Sequence, residues 1–375
     1  MSEISCVRLE DYEEEALYRA VKRQFAALGV QKDLKPGMKV LLKPNLLMKR
    51  RPEEFTTTHP AVAGGVIRLL QEWGVSDIVI ADSPGGPYSK QLLAGIYRAA
   101  GYADLAQRYG VTLNEATGYQ EVSRPENDLC KQFHLIDPVL EADYIIDLCK
   151  LKTHGMVGLS GAVKNLFGCI PGLMKPELHF RFPEEEHFCE MLVDLCETVR
   201  PNLTVVDAVD AMQGDGPSGG SLIHTGMLLA GRNPYDIDLL LCRVIGFDPD
   251  RIYTVRSARR RGLSVQSADE LKVSGDEVKL FPEFVKPVSH GVDFSTSLPK
   301  WFPKSILNHF SSKPKISKKE CVGCGKCAES CPAKTIEISN HKAEIHYENC
   351  IRCFCCHEMC PVKAIRIKRS RFYRF

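Results

Sequence analysis

The sequence contains no apolar run approaching the ~18 residues of a membrane-spanning helix, and its first stretch, MSEISCVRLEDYEEE, is acidic where a secretory leader is basic and then apolar. Both absences predict a cytoplasmic protein with no transmembrane segment. Net charge is nearly absent too, +2 over 375 residues, but the total conceals an asymmetry. Residues 313–375 carry fourteen Lys or Arg, six Glu and no Asp, net +8, against −6 for the rest. Two regions with different electrostatic work are implied. The apolar and charged fractions, 44% and 26%, are those of an ordinary globular chain long enough for two or three domains.

Cysteine, by contrast, is abundant. Sixteen are present, and nine fall in the last 55 residues at regular spacings. A chain this long does not depend on a disulfide scaffold, so the distribution favours metal ligation in a reducing compartment. Cys321, Cys324, Cys327 and Cys331-Pro332 are repeated 29 residues later as Cys350, Cys353, Cys356 and Cys360-Pro361. With the spacing C-x2-C-x2-C-x3-C-P, three thiolates of one tight loop hold three corners of a cubane and the fourth reaches the other cluster. Cys321, Cys324, Cys327 and Cys360 are expected to bind one 4Fe-4S cluster, and Cys350, Cys353, Cys356 and Cys331 the second.

Gly323 and Gly325 suit a loop whose amides approach sulfide, whereas Arg352 and Phe354 predict a stiffer second loop. Cys355 falls outside the register, as a small buried thiol beside the cluster or as a redox-active or alternative ligand. Zinc has no use for eight thiols in this exchanged arrangement. TIEIS and AIRIK, after the two Cys-Pro turns, alternate as short half-buried strands do. The region resembles a bacterial two-cluster ferredoxin domain over residues 316–369. So small a module has little core, so its clusters should contribute to its folding. Its positive charge can offset the clusters or steer an acidic redox partner protein. Nucleic acid is the weaker reading of the tail KAIRIKRSRFYRF, because no recognition element accompanies it.

The preceding residues read as α/β. Residues 13–28 put Leu17, Val21, Phe25 and Leu28 on one helical face, and Pro36-Gly37 then yields to the strand MKVLL before Lys43. Thr58 is expected to cap a helix running to Glu72, with Pro60 in its first turn, and DIVIA to form a strand before Asp82. YIIDLC (144–149), LTVVD (203–207), GMLLA (226–230) and RIYTV (251–255) read as further strands. The expected fold class is α/β: a large domain with a mainly parallel sheet flanked by helices, plus a small α+β two-cluster ferredoxin-like domain.

Polar residues follow several of these strands, where open α/β sheets gather their ligands. Lys43 and Asn45 follow the first, Asp82 and Ser83 the next, Lys150, Lys152 and His154 another, and Asp207 and Asp210 a fourth. The loop ADSPGG suits a metal, a ribose hydroxyl or a helix cap, and lacks a full dinucleotide or phosphate-loop pattern. In KLKTHGMVGLSGAVKNLFGCIPG (150–172), Lys152, His154, Ser160, Lys164 and Asn165 lie among glycines that permit close approach to a ligand. Lysines with an imidazole there suit a multiply anionic or carboxylate-bearing molecule, although a glycine-rich packing segment is the plainer alternative. Cys169 reads as a small core residue. Asp207, Asp210 and Asp215, in DAVDAMQGDGPSGG, can hold Mg2+, position a substrate or cap turns. His179 and His187 lie near three glutamates and fit a metal site or acid–base pair no better than a polar surface.

Together, KPNL (43–46), the K-x-H at 152–154 with GAVKNLFGCIPG, and DAVDAMQGDGPSGG are similar to the DUF362 family. Its members are uncharacterised prokaryotic proteins often fused to a C-terminal two-cluster ferredoxin domain. The resemblance spans roughly residues 5–260 plus the cluster module. It singles out Lys43, Pro44, Asn45, Lys152, His154, Lys164, Asn165, Gly168, Asp207, Gly214, Gly216 and Pro217, and implies no reaction.

The expected division is an α/β domain over 1–270, a connector over 271–315 with a hinge near Ser311–Lys318, and the cluster module with its basic tail over 316–375. WFPKSILNHF, in the connector, reads as a segment that docks internally or against a membrane or redox partner. The favoured function is a ferredoxin-type oxidoreductase. An external donor reduces two 4Fe-4S clusters, which pass single electrons to a small-molecule substrate or cofactor in the α/β crevice. Lys152, Lys164 and Lys43 would stabilise developing negative charge and His154 would give a proton. Asn45, Asp82, Asn165, Asp207, Asp210 and Asp215 are the expected binding residues, with Mg2+ and flavin left open as ligands that no specific motif supports. Alternatives are an electron-carrier or assembly subunit whose large domain docks a protein, and a non-redox enzyme with structural clusters.

Overall fold

The computed structural model describes residues 3–290 and 312–368. In the large domain the strands are β1 (Glu3–Arg8), β2 (Val40–Pro44), β3 (Ile78–Ile80), β4 (Thr112–Leu113), β5 (Tyr119–Ser123), β6 (Gln132–Ile136), β7 (Tyr144–His154), β8 (Gly158–Ser160), β9 (Leu203–Gln213), β10 (Ser221–Gly231) and β11 (Lys272–Gly275). The cluster module adds β12 (Lys313–Ile316), β13 (Ile336–Ser339), β14 (Lys342–Ile345) and β15 (Ile365–Lys368). Among the described residues one sheet has nine strands, in the order β11-β1-β10-β9-β7-β2-β3-β4, with β8 folded back on β7. Strands β9, β7, β2, β3 and β4 are parallel, and on this path only β10 is reversed. The α/β class with a mainly parallel sheet is what the sequence predicted.

Helices α1 (Glu14–Ala27), α2 (Pro60–Glu72), α3 (Lys90–Ala99) and α4 (Tyr102–Tyr109) cover one face of the sheet. The other face meets α8 (Glu185–Val199) and α9 (Pro234–Val244), with α5 (Asp137–Glu141), α6 (Ala162–Asn165) and α7 (Met174–Arg181) between. Alternation along β2 explains the two cores: Val40 and Leu42 pack on the first side and Leu41 on the second. A strand buried on both sides reads as a continuous apolar run, and β7 is buried at every position, from Tyr144 to His154.

Several local expectations change. RIYTV is not a strand: Asp248 and Pro249 open a turn, and α10 (Tyr253–Arg260) follows, burying Val255 and Ala258. Five alternating residues fit either period, and the arginines of α10, paired with Glu186, Asp250 and Glu190, favour the helix. Thr58 does not cap α2. That role falls to His59, whose Nδ1 accepts from the Ala61 N–H at 3.2 Å, while the Thr58 hydroxyl donates to the Leu148 carbonyl at 2.7 Å. The hinge expected over 311–318 contains β12, paired antiparallel with β15, and the connector begins with β11, which extends the large sheet beside β1. WFPKSILNHF and the last residues of the basic tail lie outside the described residues.

Candidate functional site

Strands β3, β2, β7 and β9 are consecutive neighbours, so the loops beyond their carboxyl ends share one crevice. Lys43, at the end of β2, donates to Asp82 Oδ1 at 2.8 Å, and both side chains are almost fully buried. Burial is the largest influence on Lys43 and opposes its charge, but Asp82, Cys169 and Asp147 together outweigh it and hold the ammonium protonated above its ordinary range. The other Asp82 oxygen accepts from the Leu46 N–H at 2.9 Å, tying the two strand ends together. Gly168 sits against this pair. A Cβ there would stand 2.0 Å from Asp82 Oδ1 and 2.7 Å from Lys43 Nζ.

Next to the pair runs a buried polar chain. Lys152 Nζ donates to Asn45 Oδ1 at 2.7 Å and to the Thr56 carbonyl at 2.8 Å. Asn45 Nδ2 donates to Asn165 Oδ1 at 2.8 Å, and Asn165 Nδ2 to Asp147 Oδ1 at 2.6 Å. Burial, aided by Lys150 and Lys164, pulls Lys152 down to about 7, and burial pushes Asp147 up to about 8. Lys175, from α7, donates to the Ser83 and Pro84 carbonyls, and burial lowers it as well to about 7. Lys164 lies over the Phe167 ring, 4.3 Å from its centroid. His179 stacks on Phe188 at 4.2 Å, and burial, with Lys164 nearby, holds its imidazole neutral.

His154 closes the set. Its Nδ1 accepts from the Met156 and Val157 N–H groups at 3.1 and 3.4 Å, so in the neutral ring the proton sits on Nε2, 3.2 Å from Glu358 Oε1. Glu358 belongs to the cluster module, in the short helix Cys355–Glu358. With Ser330, Cys355 and Met359 it walls a cavity, partly open to solvent, whose other side is the crevice of the large domain. Further contacts pin the module there. Ser218 Oγ donates to the Glu358 carbonyl at 3.0 Å, and the two ring nitrogens of His357 face the Ile365 and Asp215 carbonyls. Ile367, Cys353, Phe354 and Cys355 join the large domain's core.

Of the residues expected to act together, Lys43, Asn45, Asp82, Lys152, His154, Lys164 and Asn165 all line this cavity. The three aspartates do not. Asp207 is buried against Lys150, the Tyr12 hydroxyl and the His59 N–H; Asp210 pairs with His224; and Asp215 accepts from the Val288 N–H. Each is engaged by a different element, so the three carboxylates do not converge on one another around this cavity. Among the described residues no three His, Cys, Asp or Glu stand as the ligands of a single metal ion. Glu358, Lys175, Ser330 and Met359 were missed: no motif marks them, and the first lies 204 positions from the histidine it faces. His187 is exposed beside Glu184, outside the cavity.

The module's thiols form two sets. Cys321, Cys324, Cys327 and Cys360 line one space, and Cys331, Cys350, Cys353 and Cys356 line another. Backbone N–H groups of Ala343, Ala364 and Thr335 donate to the sulfurs of Cys321, Cys360 and Cys331 at 3.1–3.4 Å, the donors that cluster thiolates require. Thiols arrayed around a space, with amides aimed at sulfur, fit a cubane. Cys355 stays out of both sets and faces the large cavity.

Residues 40–243 match the family described as a domain of unknown function, DUF362, and residues 313–361 match a 4Fe-4S dicluster domain. The chain belongs to the DUF362 family. This DUF362 protein is also an iron–sulfur protein. It is 32% identical over 300 residues to a thylakoid-associated protein, sll1697, of Synechocystis, covering 77% of this chain and 90% of that one. Among solved structures, the lactate racemase apoprotein of Thermoanaerobacterium thermosaccharolyticum overlaps 66% of this chain at 12% identity, with a TM-score of 0.39. A Thermotoga maritima protein overlaps 61% at 14% identity, with a TM-score of 0.36, and this chain spans 57% of each of those two. No helix among the described residues is long and apolar enough to cross a membrane.

Proposed function

We propose that this DUF362 protein is an iron–sulfur oxidoreductase that reduces a small molecule in the cavity between its two modules. One observation carries the reading: in the short helix Cys355–Glu358, Cys355 and Glu358 line the cavity while Cys356 lines the second thiol set. One helical turn separates the two spaces. Two 4Fe-4S clusters, on the two crossed thiol sets, would supply single electrons brought by an external one-electron donor protein. Thiols kept for clusters also suit a reducing, cytoplasmic setting.

The chain's own side chains would supply protons and charge. Saturating one double bond consumes two electrons and two protons. Lys152, near 7, gives up a proton readily at neutral pH, and His154 Nε2 holds another within reach of Glu358. Lys164 can meet developing negative charge. Lys43, neutralised by Asp82, serves instead to fix the loops.

The test is anaerobic. Protein loaded with iron and sulfide, reduced and freed of excess reductant, is mixed with size-fractionated metabolite extract while its visible spectrum is followed. Reoxidation by a small-molecule fraction, slowed about a hundredfold in Lys152→Met and His154→Gln, is the expected result. Reoxidation only by protein fractions, equally fast in both variants, would transfer the role to an electron carrier.

A further inference from the structure

We infer that the cavity binds an organic dianion, its charged groups on Lys152, Lys164 and Lys175 and its apolar body against Phe167. The inference rests on reading the cavity as a substrate site and names the class of molecule it takes. The argument is a charge count. Among the described residues four lysines and two carboxylates line the space, and Lys43 and Asp82 neutralise each other at 2.8 Å. Glu358 faces His154. Lys152 and Lys175 donate to neutral oxygens, and the Lys164 ammonium lies over the faces of Phe167 and Phe188. Three ammonium groups therefore stand against one carboxylate.

Ammonium groups taken out of water with only neutral oxygens and ring faces around them are penalised, and an anion placed among the three would relieve that penalty. Burial pulls Lys152 and Lys175 down to about 7, which is the same penalty seen from the proton's side. A second, independent feature belongs to the space: buried His179 lines it, and among the described residues its Nδ1 has no hydrogen-bond partner. That nitrogen can accept from a hydroxyl or acid group on the ligand. The apolar ring of Phe167 favours an organic body over a bare inorganic ion.

Binding is measured by calorimetry at pH 6.5 on oxidised, cluster-loaded protein kept from air, so that no electron transfer enters the readout. Isophthalate, phenyl phosphate, inorganic phosphate and uncharged isophthalamide are the probes. Saturable binding of isophthalate or phenyl phosphate is expected, with isophthalamide inert, and the stronger of the two identifies carboxylates or phosphate as the charged groups. Lys164→Met and Lys175→Met should each weaken binding about tenfold or more, and the surface variant Lys90→Met should leave it unchanged. No binding of either organic anion at millimolar concentration, equal binding of isophthalamide, or indifference to both lysine variants overturns the inference. Preference for inorganic phosphate over both organic anions does so too. In those cases a positive reoxidation experiment would still stand, with the lysines left to balance the cluster module; anion binding without reoxidation would have the opposite meaning.

Discussion

Gly168 has no room for a methyl group, because the Lys43–Asp82 pair occupies the place where its Cβ would be. Gly168→Ala should break that pair and destabilise the protein by roughly 3–5 kcal/mol in anaerobic denaturant titrations, the usual consequence of separating a buried ion pair. Gly95→Ala, in α3 with open space around it, should be neutral or slightly stabilising. Lys164 predicts the reverse trade: its charge is penalised by burial and its ammonium lies over the apolar ring of Phe167, so Lys164→Met should raise the melting temperature of ligand-free protein by about 2–4 °C while weakening anion binding. The pH dependence follows from Lys152 and Lys175. Both lose their charge as pH rises through about 7, so affinity for a dianion should fall steeply between pH 6.5 and 8.5, with Lys43, Lys164, Asp82, Glu358, His154 and His179 as the other titratable groups facing them. Chemistry-bearing residues behind strands were legible at this scale; the partners of Asp207, Asp210 and Asp215 were not, because nothing local says that a carboxylate is already spent on Tyr12, His224 or Val288.

Among the elements, the strands that build the crevice were legible because burial on both faces leaves an unmistakable apolar run, as in β7 and β9. RIYTV misled because five residues cannot distinguish a period of two from one of 3.6. The segment expected to be a hinge hid a strand because β12, Lys-Pro-Lys-Ile, has no strand signature and owes its conformation to β15, some fifty residues away. The short helix Cys355–Glu358 is the element with the sharpest expectation. Iron analysis of anaerobically loaded protein should give about eight atoms per chain for Cys355→Ala, as for the unaltered protein, and about four for Cys356→Ala. Equal losses in the two variants would mean that the register of the second thiol set is wrong.

For the molecule as a whole, two modules make one cavity, and this was not legible in either module alone. Among the described residues the cluster module's own core has seven buried members, four of which are cysteines. Such a core is completed by its inorganic contents, so extracting iron with a chelator should unfold the module and leave the large domain standing. Hydrogen exchange should then speed up in residues 45–47, 82–86 and 155–161, which line or adjoin the cavity, while the amides of β2 and of β7 up to Leu148 remain protected. Protection unchanged in all of them would show that the module contributes no wall. The large sheet has its own dependence on distant sequence. Strand β1 lies between β10 and β11, and both of its partners follow it by more than two hundred positions. On a ribosome moving at about 5–20 residues per second, its mostly apolar edge waits on the order of ten seconds or longer before either neighbour emerges, an interval in which a nascent chain depends on chaperones to keep that edge from pairing with strangers.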